Sequence, residues 1–179
     1  YCKNIVLIGM SGVGKTAVGK YIASKLNMEF IDTDDMIVSA CGKFIDSIFT
    51  IYGEDYFRSL ESQTIESLST VTGAVISTGG GVVLNSSNIE ALKRKGLIFL
   101  LEASIDTLLA NIESSPSNKE KRPLLKNTSC LRNKIKQIYY DRRELYFSSA
   151  NEIIYVDNKT VDKIGDEIIF VYKQLNPCS

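Results

Sequence analysis

Eight residues near the amino terminus constrain this chain more than any other feature. Gly9-Met10-Ser11-Gly12-Val13-Gly14-Lys15-Thr16 fits G-x-x-x-x-G-K-[ST]. At average residue usage such a match arises by chance in on the order of one chain of this length in 200. Its flanks narrow the reading further. Ile5-Val6-Leu7-Ile8 is an unbroken apolar run of strand length, suited to a parallel strand covered on both faces. Val18, Ile22 and Leu26 recur every four residues and predict a helix ending near Asn27. Strand, glycine loop and helix in that order make a phosphate cradle. The glycines let backbone N–H groups turn inward, and the helix N-terminus adds partial positive charge. Gly12, Val13, Gly14, Lys15, Thr16 and Ala17 are therefore the expected ATP-binding residues. Lys15 would reach the β- and γ-phosphates, and the Thr16 hydroxyl would ligate a single Mg²⁺ ion bound with ATP.

The remainder of the chain repeats the alternation. Phe30-Ile31, Ala74 to Ser77, Leu97 to Leu101 and Ile153 to Val156 read as further strands. Between them lie helical patterns over about 33–68, 87–95, 104–112 and 129–146, with a last helix carrying Val161, Ile164, Ile168, Val171 and Leu175. Within the 33–68 stretch Phe57, Leu60, Thr64 and Leu68 recur at helical spacing. Ser104 stands where a helix cap is expected. This order predicts an α/β fold of three layers, α/β/α, with a central parallel five-stranded sheet. No linker or repeat divides it, so a single domain over 1–179 is expected. The polar stretch 113–121, closed by Arg122-Pro123-Leu124-Leu125, has few apolar anchors and predicts a mobile lid over about 112–125.

Composition removes competing chemistries. The chain has no histidine, so imidazole-based triads and His-ligated zinc are excluded. Acid–base work falls to carboxylates, Lys, Tyr, Cys or a bound metal. Twenty-one basic against 21 acidic residues give a net charge of zero, which argues against a nucleic-acid partner. No apolar run reaches the roughly 18 residues a membrane span needs, and the cysteines Cys2, Cys41, Cys130 and Cys178 lack metal or redox spacing. A cytoplasmic monomer is expected, although a chain starting at Tyr1 leaves room for a removed upstream targeting segment. Asn158-Lys159-Thr160-Val161-Asp162 approaches the guanine motif of GTP-binding switches but is one residue too long, so ATP is the expected nucleotide.

The second strand runs into Asp32-Thr33-Asp34-Asp35. Strand ends of a parallel sheet face the phosphate site, so these carboxylates arrive beside the γ-phosphate. One can accept or orient a hydroxyl proton and another can hold the metal; an acidic helix start is the plainer reading. Gly79, Gly80 and Gly81 let backbone approach a ligand that side chains would obstruct. Arg142 sits where the stripe Leu131, Ile135, Ile138, Leu145 expects a core side chain, so it should meet an anion unless it snorkels to the helix edge. Arg58 either joins such a site or forms an exposed pair with Glu54.

Taken together, GMSGVGKT at 9–16, DTD at 32–34, FR at 57–58, GGG at 79–81, RPLL at 122–125 and RxxLY at 142–146 resemble the shikimate kinase family of P-loop kinases. The resemblance runs from Lys3 to the last helix. It implies ATP-dependent phosphorylation of the 3-hydroxyl of shikimate, giving shikimate 3-phosphate and ADP. It implies Thr16 and Asp32 at the metal, and Asp34 on the acceptor hydroxyls as the base. It implies Arg58, Arg142 and the Gly80 backbone on the carboxylate, with Arg122 as the lid arginine acting on phosphate. Glu144 departs from the family's usual RxPLY proline, and Arg143 competes for the role of Arg142. A kinase of another small acceptor, such as gluconate or a nucleoside monophosphate, and a silent ligand-binding relative are the rival readings.

Overall fold

A computed structural model describes residues 2–115 and 128–177 of the protein. Five strands form one sheet: β1 (Asn4–Ile8), β2 (Glu29–Asp32), β3 (Ala74–Ser77), β4 (Gly96–Glu102) and β5 (Glu152–Tyr155). They lie in the order β2-β3-β1-β4-β5, and every pairing is parallel. All residues of β1 and β4 are buried, as continuous apolar runs covered on both faces must be. β2, at one edge, is only half-buried.

Eight helices occur among the described residues: α1 (Lys15–Leu26), α2 (Thr33–Cys41), α3 (Ile45–Tyr52), α4 (Glu54–Ser67), α5 (Ser86–Lys95), α6 (Ile105–Ser114), α7 (Thr128–Ser149) and α8 (Val161–Leu175). They flank the sheet as the outer layers of an α/β/α sandwich. α1 packs closely on α8 because Gly165 leaves room for the Tyr21 ring. Local chemistry sets several boundaries. Asp32 caps α2 by accepting from the Asp34 and Asp35 amides, and Ser104 caps α6 by accepting from Thr107. Asn27, at φ 52°, ends α1 in the left-handed region.

Four expectations need correction. The helical stretch 33–68 is three helices, because Gly42 (φ 64°) and Gly53 (φ 86°) take positive φ and break it. The core stripe of α4 is Phe57, Glu61, Ile65 and Leu68, so Glu61 takes the inward place assigned to Leu60. In α7 the stripe passes through Tyr146, at 1% exposure, and Leu145 faces outward at 40%. A short 3₁₀ turn at Val82–Leu84 also had no periodic signature. Ile112 to Ser114, placed in the lid, form the last turn of α6, and Ile112 packs on Gly12. The rest of the expected lid, 116–125, including Arg122, lies outside the described residues.

Parallel register brings the strand ends level. Leu7 pairs with Ser77, and Ser77 pairs with Asp32. β1, between β3 and β4, ends at the topological switch of the sheet, where open α/β folds carry their ligands.

Candidate active site

The loop from Gly9 to Gly14 leaves β1 and opens α1. Gly9 and Gly12 take positive φ under close neighbours: a Cβ on Gly9 would lie 2.6 Å from the Leu101 carbonyl oxygen, and one on Gly12 2.7 Å from Ile112. The loop is braced from α6, where the Asn111 side chain donates to the Gly12 carbonyl at 2.9 Å. Lys15 is buried, and its ammonium donates back to the carbonyls of Gly9 (2.7 Å) and Met10 (2.9 Å). Burial lowers its pKa to about 8, while Asp34 and Asp32 pull in the opposite direction. A buried lysine where a glycine loop opens a helix N-terminus suits a polyphosphate.

Thr16, on the first turn of α1, donates its hydroxyl to Asp32 Oδ2 at 3.0 Å. The other Asp32 oxygen caps α2, so the carboxylate is held in place from behind. Hydroxyl and carboxylate together form a hard oxygen pair. Among the described residues no cluster of three or more Cys, Asp or Glu side chains forms a metal cage of its own. The Thr16–Asp32 pair therefore fits Mg²⁺, an ion that takes most of its ligands from phosphate and water.

Asp34 is the second residue of α2. Burial, then the charges of Asp32 and Glu61, raise its pKa to about 6 against the pull of Lys15. One of its oxygens, Oδ1, is buried without a hydrogen-bond partner, and the same holds for Glu61 Oε2 and Arg58 Nε. These unsatisfied atoms gather around the triple glycine. A Cβ on Gly79 would lie 2.9 Å from Asp34 Oδ1 and 3.1 Å from Glu61 Oε2. One on Gly80 would lie 3.6 Å from Arg142 Nη1, and one on Gly81 would run into the Arg58 guanidinium. Gly79 thus admits two carboxylates, Gly81 the Arg58 guanidinium, and Gly80 the Ser11 hydroxyl with Arg142 behind it, which is why three glycines are needed where a turn would need fewer.

Arg58 is paired twice, with Glu54 at 3.4 Å and with the buried Glu61 at 2.9 Å. The pair with Glu54 is present, and the same guanidinium also lies against Gly81. Burial raises the Glu61 pKa, and the adjacent Arg58 opposes it. Arg142 and Arg143 diverge on α7. Arg142 faces the Gly80 loop and acts electrostatically on Lys15 and Glu61. Arg143 instead lies over the Phe147 ring at 4.9 Å and faces Tyr139 and Glu102. Two members of this cluster had no assigned role. Glu61 stands three residues after Arg58 and Tyr146 four after Arg142, so helical spacing from each arginine was the available signal.

Beyond the loop the same cleft, about 670 Å³, continues between Thr107, Asn111 and the segment after β5. Val156, Asn158 and Lys159 line that end. Asn158 adopts φ 59°, and Lys159 pairs with Glu167 at 2.6 Å.

A family model described as Shikimate kinase matches residues 11–173. A shikimate kinase of Caldanaerobacter subterraneus subsp. tengcongensis is 40% identical over 173 residues, covering 97% of this chain and 98% of its own length. Among solved structures, shikimate kinase from Acinetobacter baumannii in complex with shikimate aligns with a TM-score of 0.88 at 29% identity, over 97% of this chain and 94% of that one. A gluconokinase from Sinorhizobium meliloti 1021 aligns at TM-score 0.59 and 16% identity over 98% and 94% of the two chains, and shows a shared fold alone.

Proposed function

This chain belongs to the shikimate kinase family and is an ATP-dependent kinase of shikimate; we propose that the residues gathered around its triple glycine carry the transfer to the 3-hydroxyl. The single observation that supports this most is the convergence of Asp34, Arg58 and Arg142 on Gly79, Gly81 and Gly80. A small hydroxy-acid needs such a set: a carboxylate for its hydroxyls and two guanidinium groups with backbone amides for its carboxylate.

In this reading Gly12 to Ala17 wrap the phosphates of ATP, and Lys15 leaves the loop carbonyls to meet the β- and γ-oxygens. Its lowered pKa reflects burial, and an arriving polyphosphate would favour the charged form further. Thr16 and Asp32 hold Mg²⁺, which when bound shields charge on the phosphate oxygens. Asp34 accepts a hydrogen bond from the acceptor hydroxyl and then its proton, a task suited to a carboxylate whose basicity burial has raised. Phosphoryl transfer passes through a loose transition state, so most of the acceleration comes from alignment and charge neutralisation. Arg122 is proposed to add charge at the γ-phosphate as a lid closes over it. The adenine is proposed to lie toward Asn111, Asn158 and Lys159, where the cleft continues.

No described helix is long and apolar enough to cross a membrane. We propose a monomer working in the cytoplasm. Sedimentation at micromolar concentration checks this: a dimer would contradict it. Shikimate-dependent ADP release with Mg²⁺ and ATP tests the function, and a tenfold preference for gluconate would overturn it.

A further inference from the structure

Tyr146 is the largest of the fully buried side chains among the described residues, and it carries a hydroxyl. A buried phenol needs a partner. Here the hydroxyl donates to the Gly80 carbonyl, and Met10 Sδ of the phosphate loop lies 3.7 Å from the same oxygen. Arg142 sits one turn earlier on the same face of α7, its Nη1 3.6 Å from where a Cβ of Gly80 would stand. The charges of Arg142 and Arg58 both act on this hydroxyl, against the burial that makes it harder to ionise. One oxygen therefore stands between the helix that presents Arg142 and the middle of the triple glycine.

Glycine has no side chain to hold its own peptide plane, so three in succession need a tether from outside. A trans peptide carries its carbonyl and the next N–H in one plane, pointing opposite ways. Holding the Gly80 carbonyl thus fixes the direction of the Gly81 N–H as well. The only other hydrogen bonds within 79–81 are the turn bonds from Val82 to Gly79 and from Leu84 to Gly81, among the described residues. Neither restrains the peptide between Gly80 and Gly81 from the α7 side.

We propose that Tyr146 is a positioning residue for acceptor binding: by donating to the Gly80 carbonyl it fixes the Arg142-bearing turn of α7 against the glycine loop, so that guanidinium and loop backbone meet one carboxylate at a set angle. The inference rests on the assignment of Arg142 and Gly80 to the acceptor carboxylate made above. It adds a residue that touches neither substrate, and it gives the tyrosine of the RxxLY pattern a task distinct from filling the core.

Tyr146→Phe keeps the ring and removes only the tether. KM for shikimate should rise roughly three- to tenfold, while kcat and KM for ATP stay within about twofold. Tyr139→Phe is the comparison, because Tyr139 is also an α7 hydroxyl but donates to Glu102 at the end of β4. It should lower Tm without changing KM for shikimate. Equal KM values in the two variants would overturn the proposal, since helix stability alone would then explain both. A second readout needs no substrate. The Arg142 Nε–H resonance, identified by its loss in Arg142→Lys, should shift in Tyr146→Phe; an unmoved resonance contradicts the tether. A wild-type enzyme without shikimate turnover would overturn the functional reading, while that resonance still decides this one. Should Tyr146→Phe fail to fold, wild-type protein serves. The Tyr146 ¹³Cζ signal should show a resolved deuterium isotope shift, marking a slowly exchanging hydroxyl, and should move when shikimate is added. A rapidly exchanging phenol indifferent to shikimate overturns the proposal.

Discussion

Lys15 is tied to two loop carbonyls, which hold it within the cradle. Lys15→Ala should lower kcat by roughly 10²- to 10³-fold, the range for removing one preorganised donor to developing charge, with the circular dichroism spectrum unchanged. Asp34 carries a different cost. Its folded pKa, about 6, exceeds the ordinary 3.8, so folding favours the protonated acid. The associated stability is fully present below about 3.8 and is lost as pH rises through about 6. At pH 7.5 the enzyme therefore holds a partly buried charge at the expense of stability. Asp34→Asn should be more stable than wild type there, on the order of 1–2 kcal/mol after allowing for partial exposure, and nearly inactive. Chemical denaturation at pH 7.5, 6 and 4 checks the sign: the gap should close as pH falls. Arg142→Ala should chiefly raise KM for shikimate, whereas Arg143→Ala should not, because Arg143 faces Tyr139 and Glu102. The reverse pattern in steady-state kinetics would exchange their roles.

At the scale of elements, the chain was most legible where one face of one element carried the signal. β1, α1 and their glycine loop follow from the apolar run, the four-residue spacing and the Walker pattern, and all three stand as read. α4 and α7 were less legible for a common reason. Each places a charged or hydroxylated residue on its inward stripe, Glu61 in one and Tyr146 in the other, with Arg142 half-buried one turn before it. Apolar counting then favours the neighbours Leu60 and Leu145, which are half-buried and exposed. Such departures mark the site, because a buried polar group persists only where it is paired or used. The break at Gly42 and Gly53 was hidden because helical spacing continues across both. Gly81→Ala tests the glycine segment at this scale. The new methyl would displace Arg58 from Glu61, and KM for shikimate should rise by tenfold or more while KM for ATP holds. Unchanged KM would mean that Arg58 binds no part of the acceptor.

The molecule as a whole gathers both signs of charge at one end of its sheet. Lys15, Asp32 and Asp34 line the cleft, and Arg58 and Arg142 stand beside the triple glycine. In the proposed reading the cations face anions and the carboxylates face metal and hydroxyl, so a net charge of zero conceals a strongly polar interior. The parallel order β2-β3-β1-β4-β5 makes this possible by bringing three strand ends level. That register could not be read from the chain, since strand order depends on which helix crosses which face, and the pattern of each segment is silent on it. The absence of histidine was legible at once, and it leaves a carboxylate, Asp34 in the proposed reading, to take the proton. The central claim is that these groups select one acceptor through its carboxylate and hydroxyls together. Initial rates of ADP release from wild-type protein, with Mg²⁺ and ATP, test it across shikimate, its methyl ester, gluconate and a nucleoside monophosphate. The account predicts rapid turnover with shikimate, a loss of at least 10²-fold in kcat/KM with the ester, and background rates with the other two. Equal rates for shikimate and its methyl ester would contradict it, because two arginines would then be facing a carboxylate they do not bind.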